Sequence, residues 1–148
     1  MSMYFVQHGV ALDKSVDAHR PLSEQGKQDV EKIAHQLAKQ DLGIKQVLHS
    51  GKSRSAQTAS VIASILNVPK VQQIESLSPN DNIKQLISLL EDNCMYVGHL
   101  PHIGKIVSKL LCDNENIQIV QYENAAVVCI SRDEAGCHLN WMLKPSIL

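Results

Sequence analysis

The chain has 148 residues, of which 44% are hydrophobic, 20% charged and 3% aromatic, with a formal net charge of -1. That length and composition suit one soluble packed domain spanning 1–148 rather than two, and the neutral balance and scarcity of rings argue against a nucleic-acid partner, which needs a basic field and stacking surfaces. No leader-like segment is present and no apolar run approaches the ~18 residues of a membrane span, so no membrane partner is expected.

In chain order, Met3-Tyr4-Phe5-Val6 reads as a short buried strand that runs straight into Gln7-His8-Gly9. Val10 to Leu22 lacks a period and reads as a loop. Ser23 is placed as a helix N-cap, and Val30, Ile33, Ala34, Leu37 and Ala38 recur at helical spacing, with Gly43 beyond the helix end. Val47 and Leu48 close a second strand, which leads into Ser50-Gly51-Lys52-Ser53-Arg54. Ala56, Ala59, Ile62, Ala63 and Leu66 share one face of a second helix, stopped by Pro69. Val71 to Ile74 is a weaker third strand, and Ile83, Leu86, Ile87 and Leu90 mark a third helix. Cys94 to Gly98 is a fourth strand that delivers His99, and Ile103, Ile106, Val107, Leu110 and Leu111 give a fourth helix. Ala125–Ser131 and His138–Met142 form a closing hairpin around Glu134-Ala135-Gly136. The four cysteines, Cys94, Cys112, Cys129 and Cys137, form no CxxC pair and read as buried free thiols of a reducing, cytoplasmic compartment.

Strands that alternate with helices predict an α/β fold: one three-layer domain, with a mixed, mostly parallel sheet and helices on both faces. In such sheets ligands bind beyond the carboxyl ends of the strands. The clusters around His8, Arg54 and His99 all fall just after predicted strands, with Arg20 in the first loop. Neutral imidazole is a competent nucleophile toward phosphorus, and arginines hold phosphate oxygens in a planar fork. Cationic donors aimed at the equatorial oxygens are the main need of phosphoryl transfer. Singly, each residue has a structural explanation; the combination points to a phosphate site.

Four segments carry a family likeness. Tyr4-Phe5-Val6-Gln7-His8-Gly9 resembles the strand-plus-RHG signature of the histidine phosphatase (phosphoglycerate-mutase-like) superfamily, with His8 on the nucleophile and Gln7 on the arginine. Arg20-Pro21-Leu22-Ser23 with Gly26 is similar to the R-P-L-T/S-x-x-G segment of the short SixA-type phosphohistidine phosphatases. Ser50 to Thr58 resembles their S-P-x-x-R-A-x-Q-T segment and puts Arg54 on the second phosphate-binding arginine. Gly98-His99-Leu100-Pro101 with Gly104 resembles S-H-L-P-x-x-G, with His99 on the second histidine, and Asn140-Trp141 matches the final strand. The resemblance runs in order from residue 4 to residue 141.

It implies a phosphoglycerate-mutase-like fold and a phosphoric hydrolase acting on a phosphohistidine-bearing protein, with inorganic phosphate as product and neither cofactor nor metal. His8 would take the phosphoryl group, Arg20 and Arg54 would clamp it, and His99 would donate a hydrogen bond to the developing charge. Gln7 and Gly9 would complete the phosphate shell, Gly9 by leaving room for backbone to pass close to the phosphate.

Two departures stand out. Gln7 replaces an arginine, which removes a full charge and keeps open a non-catalytic or weakly active phosphate- or phosphopeptide-binding module. Gly51 replaces a proline and removes no chemistry. No general acid is placed: Glu75 and Asp81 read as surface or capping residues. A phosphoramidate, whose imidazole leaves readily, is therefore favoured over an ester, with a small-molecule phosphomonoesterase as the alternative. His102 reads as surface polarity, and His19, His35, His49 and His138 have no evident partner. Ser55 and Thr58 read as ordinary early-helix residues, with a hydroxyl near Arg54 able to orient it.

Overall fold

The computed structural model describes residues 1–148. Its elements are β1 (Ser2–Gln7), α1 (Glu24–Ala38), β2 (Gln46–His49), α2 (Ser53–Leu66), β3 (Val71–Gln73), α3 (Ile83–Leu89), β4 (Cys94–Gly98), α4 (His102–Cys112), β5 (Val127–Asp133) and β6 (Gly136–Leu143), closed by a 3-10 turn at Pro145–Ile147 that sequence periodicity does not reveal. The strands form one sheet in the order β3-β2-β4-β1-β5-β6. The pairs β3–β2, β2–β4 and β4–β1 are parallel, and β1–β5 and β5–β6 antiparallel. This is the expected α/β domain with a mixed sheet.

Alternation along β1 sends its side chains to two cores. Tyr4 and Val6 pack with Val30 and Ile33 of α1 and Ile62 of α2 on one face. Met3 and Phe5 pack with Leu86 of α3 and Ile103 and Ile106 of α4 on the other. Burial on both faces explains why Met3 to Val6 is continuously apolar. Ser23 caps α1, its Oγ accepting from Gly26 N at 3.0 Å, as its placement before the periodic run predicts.

The loop after β1 lies directly on α1, because a Cβ at Gly26 would run into the Val10 backbone. That loop is not irregular throughout: Ala11 and Leu22 form an isolated antiparallel bridge, and Leu12 N donates to Pro21 O at 2.8 Å.

Three boundaries differ from expectation. Ala125 is left-handed, φ 68°, so β5 begins only at Val127. Ile74 lies outside β3, although its N–H still reaches His49 O at 2.9 Å. β6 starts at Gly136, directly after a two-residue turn, where φ is 124°. The cysteines are all free, but burial of all four is corrected: Cys94 and Cys129 are buried, Cys137 is half-buried and Cys112 is exposed near the end of the amphipathic α4. No helix is long and apolar enough to cross a membrane.

Candidate active site

The parallel register of β1 on β4 sets Gln7 opposite Gly98, so the next residues, His8 and His99, leave neighbouring strands at the same end. Their ring centroids lie 5.0 Å apart. The His8 main chain is held on both sides. Its N–H donates to Gly98 O at 3.1 Å, and its carbonyl accepts from Ala125 N and from Asn124 Nδ2, each at 3.1 Å.

The His8 ring is fixed by its own neighbour. Nδ1 lies 2.7 Å from Gly9 O. A carbonyl only accepts, so Nδ1 carries the proton and Nε2 keeps its lone pair. Burial, with the Arg54 and Arg20 charges adding to it and the Gly9 carbonyl opposing, depresses the His8 pKa to about 4. At neutral pH His8 is an uncharged base beside two guanidinium groups.

His99 is buried, and its Nε2 lies 2.6 Å from Ser50 Oγ. Ser50 Oγ already accepts from Lys52 N at 3.4 Å. Ser50 Oγ and His99 Nε2 share one hydrogen bond, and His99 Nδ1 is buried without a partner. Burial, then the fields of His8, Arg54, Lys52 and His102, lower the His99 pKa to about 3.

Arg54 sits in the first turn of α2, where the helix dipole also favours an anion. Burial and the Arg20 charge lower its pKa, and its Nε is buried with no hydrogen-bond partner. Thr58, one turn on and fully buried, donates from Oγ1 to Arg54 O at 2.7 Å and accepts from Gly9 N at 3.0 Å. Ser55 Oγ donates to Val97 O at 2.8 Å and accepts from Ser50 N at 3.1 Å. Two hydroxyls of α2 thus tie the ends of β1, β2 and β4 together. Arg20 is held by its left-handed backbone, φ 48°, and by donation from Nε to Leu12 O at 3.1 Å. Gln57 Oε1, accepting from Leu22 N at 2.6 Å, fastens the Arg20 loop to α2.

The structure thus brings His8, Arg20, Arg54 and His99 into one electrostatic cluster. Gln7 ends β1 on the side of Met3 and Phe5 by strand alternation, and its Oε1 is buried without a partner. Packing also bears on Gly9. Its N–H is taken by Thr58, and a Cβ there would lie 2.7 Å from Val30 Cγ2, so packing of α1 demands the glycine. The surface reading of His102 is corrected too: it is 1% exposed, with both ring nitrogens unpartnered, because the first turn of α4 is packed inward. Asp81 Oδ2 accepts from Ser78 N at 2.9 Å as a turn cap, and Glu75 is exposed. No group of three His, Cys, Asp or Glu side chains is arranged to hold a metal ion.

Sequence reasoning undervalued Ser50, although it stands first in the segment that carries Arg54, and assigned Thr58 too little. Asn124 gave no signal, since it arrives from an irregular stretch and acts across 116 residues of separation.

No protein-family model matches the chain. The curated phosphohistidine phosphatase SixA of Escherichia coli (strain K12) is 27% identical over 155 aligned residues, covering 98% of this chain and 94% of that protein. Among solved structures, the protein histidine phosphatase SixA complexed with tungstate superposes with a TM-score of 0.87 at 25% identity, covering 99% of each chain. The alpha-ribazole phosphatase from Shigella flexneri gives a TM-score of 0.78 at 15% identity, covering 98% of this chain and 97% of that one, a likeness of fold.

Proposed function

The chain belongs to the histidine phosphatase superfamily, in its SixA-type branch, and from that premise we propose that this phosphoric hydrolase dephosphorylates a protein phosphohistidine through a covalent intermediate on His8. The observation that carries the reading is the His8 ring: locked by Gly9 O, uncharged at neutral pH, and facing His99 and two arginines.

In the first step His8 Nε2 attacks phosphorus in line. The P–N bond to the substrate imidazole breaks, and that imidazole takes up a proton from solvent. In the second step water attacks the phosphorus of phospho-His8, the new P–N bond breaks, and inorganic phosphate leaves. Arg20 and the unpartnered Nε of Arg54 hold the equatorial oxygens. With Ser50 Oγ–H donating to His99 Nε2, His99 donates from Nδ1–H to the developing charge. The fixed cations supply the charge stabilisation that a metal ion gives elsewhere.

Phosphohistidine is preferred to an ester because no carboxyl group is among the causes that shift the His8 or His99 pKa. An alkoxide leaving group calls for a placed general acid, whereas imidazole is the better leaving group. Four free cysteines fit a cytoplasmic setting.

Phosphate release from a histidine-phosphorylated protein, set against p-nitrophenyl phosphate, tests the substrate class. Rapid quench with labelled substrate should leave acid-labile, base-stable label on His8, and His8→Ala should abolish turnover. The rate should survive dialysis against a chelator. A faster rate on the ester favours the phosphomonoesterase reading. Binding of phosphate with no turnover favours the non-catalytic module that Gln7 suggests.

A further inference from the structure

Lys52 stands at the head of α2, where lysine works against the helix. An N-cap side chain ordinarily accepts a hydrogen bond from the first turn, which an ammonium cannot do, and the positive end of the helix dipole repels a cation. Lys52 makes no side-chain cap bond, and Arg54, two residues on, adds a second positive charge to the same turn. Serine or aspartate would hold this helix end better. An anion bound there turns the same charges into partners.

The position of Lys52 is firmly set. Its carbonyl accepts from Ser55 N at 3.0 Å and from Ala56 N at 2.9 Å, and its N–H donates to Ser50 Oγ at 3.4 Å. Ser50 Oγ shares the 2.6 Å bond with His99 Nε2. One serine hydroxyl thus separates the Lys52 main chain from the second histidine of the site. Gly51 shapes the turn before it. Its φ is 90°, which proline, fixed near about −65°, cannot adopt, and the Gln73 side chain fills the space that a Cβ would take.

The Lys52 side chain is exposed and belongs to none of the ion pairs of the chain. Its charge reaches His99, whose pKa it helps to lower. The chain has three arginines, and the third, Arg132, is tied to Asp92 at 3.1 Å. With glutamine at position 7, a further cation for the site has to be a lysine.

We propose that the Lys52 ammonium is the third cation of the active site and binds an oxygen of the transferred phosphoryl group on the His99 side; this rests on the reading of the cluster as a phosphoryl site. A phosphoryl group in transfer spreads its charge over three equatorial oxygens, and Arg20 and Arg54 are two of the partners it needs. Lysine is a point charge on a flexible stem, so it can close on the phosphate as it arrives and let it go as product.

The test measures binding of inorganic phosphate by calorimetry and hydrolysis of a histidine-phosphorylated protein, in the wild-type chain and in Lys52→Met, Lys52→Ser and Lys52→Arg. Lys52→Met should weaken phosphate binding about tenfold and lower kcat/KM by a similar factor, the order of one charge-assisted hydrogen bond. Lys52→Arg should stay within about threefold of wild type. Lys52→Ser should bind phosphate as poorly as Lys52→Met, yet unfold at higher urea than wild type because serine caps the helix. A lysine with a structural role alone would not separate those two readouts. The loss of phosphate affinity should persist in about 1 M potassium chloride, where charges act over only about 3 Å.

Unchanged phosphate affinity in Lys52→Met overturns the inference and leaves the phosphohistidine reading standing. So does a loss confined to low salt, which is a field acting from a distance. A loss seen with the protein substrate but not with inorganic phosphate overturns it as well, since Lys52 then touches the substrate chain. No hydrolysis of phosphohistidine by the wild-type chain, with phosphate binding still weakened by Lys52→Met, removes the hydrolase reading and keeps Lys52 as a phosphate ligand.

Discussion

Ser50 Oγ and His99 Nε2 share a hydrogen bond of 2.6 Å that joins the end of β2 to the end of β4. Ser50→Ala leaves Nε2 unpaired and lets the ring choose its tautomer. A hydrogen bond of this kind is worth ~0.5–1.5 kcal/mol net, so kcat should fall about tenfold with KM little changed. Ser50→Thr, which keeps the hydroxyl, should recover most of the rate. Steady-state kinetics on the three proteins check this, and an unaltered kcat in Ser50→Ala would remove Ser50 from the mechanism.

The pH behaviour follows from the depressed histidines. His8 must be unprotonated to attack, so the acid limb of kcat/KM should fall near pH 4 rather than near 6.5. Stability has the matching sign. The unfolded chain takes up protons on His8 and His99 below about pH 6.5, while the folded chain resists until about 4 and about 3. Their contribution is therefore complete above 6.5 and is lost as pH falls through that window. Urea midpoints from pH 7.5 to 4 should decline. His8→Phe and His99→Phe should flatten the decline, each in part.

Thr58 spans Gly9 and Arg54 with one hydroxyl. Thr58→Val keeps the shape and strands the Gly9 N–H. An unsatisfied buried donor costs ~1–3 kcal/mol, so equilibrium unfolding should show a loss of about 2 kcal/mol. The phosphorylation rate of His8 should drop with it, because the nucleophile's loop and the Arg54 turn are then joined only through longer paths. Thr58→Ser should behave nearly as wild type.

Gln7→Arg tests the departure from the superfamily motif. The Gln7 side-chain oxygen is buried and finds no partner. An arginine at the strand end has the length to curl back over the phosphate and brings a charged fork. Turnover at saturating substrate should rise about tenfold, and the acid limb should move to lower pH, since a further cation disfavours protonated His8. Equal rates in Gln7→Arg, Gln7→Ala and wild type would exclude position 7 from the phosphate shell.

The strands that deliver the site were legible because their apolar runs stop abruptly at His8 and His99. Alternating strands and helices then implied that both stops lie at one edge of a parallel sheet. Which strands are neighbours was not legible: periodicity does not say that β1 sits between β4 and β5. The misreadings share a cause. Polarity alone puts His102 on the surface, and local pattern alone gives neither the packing need for Gly9 nor the Gly9 contact of Thr58. Each is decided by a contact with residues far away in sequence, such as Val30 against Gly9. The facing of Gln7 could have been read, since it follows from strict alternation after Phe5 and Val6.

The inner position of β1 also means that both of its neighbours are synthesised long after it. Tyr4 pairs with Met95 on one side and Cys129 on the other, so the nucleophile is synthesised roughly 90 residues before its first flanking strand and 120 before its second. Until then Tyr4-Phe5-Val6 is an unshielded apolar ribbon, a natural handle for chaperones during translation. A nascent chain halted before β5 carries His8 with one flank open and its carbonyl unclaimed by Ala125 and Asn124. The His8 main chain is therefore held on both sides only once β5 and the segment that leads into it are in place.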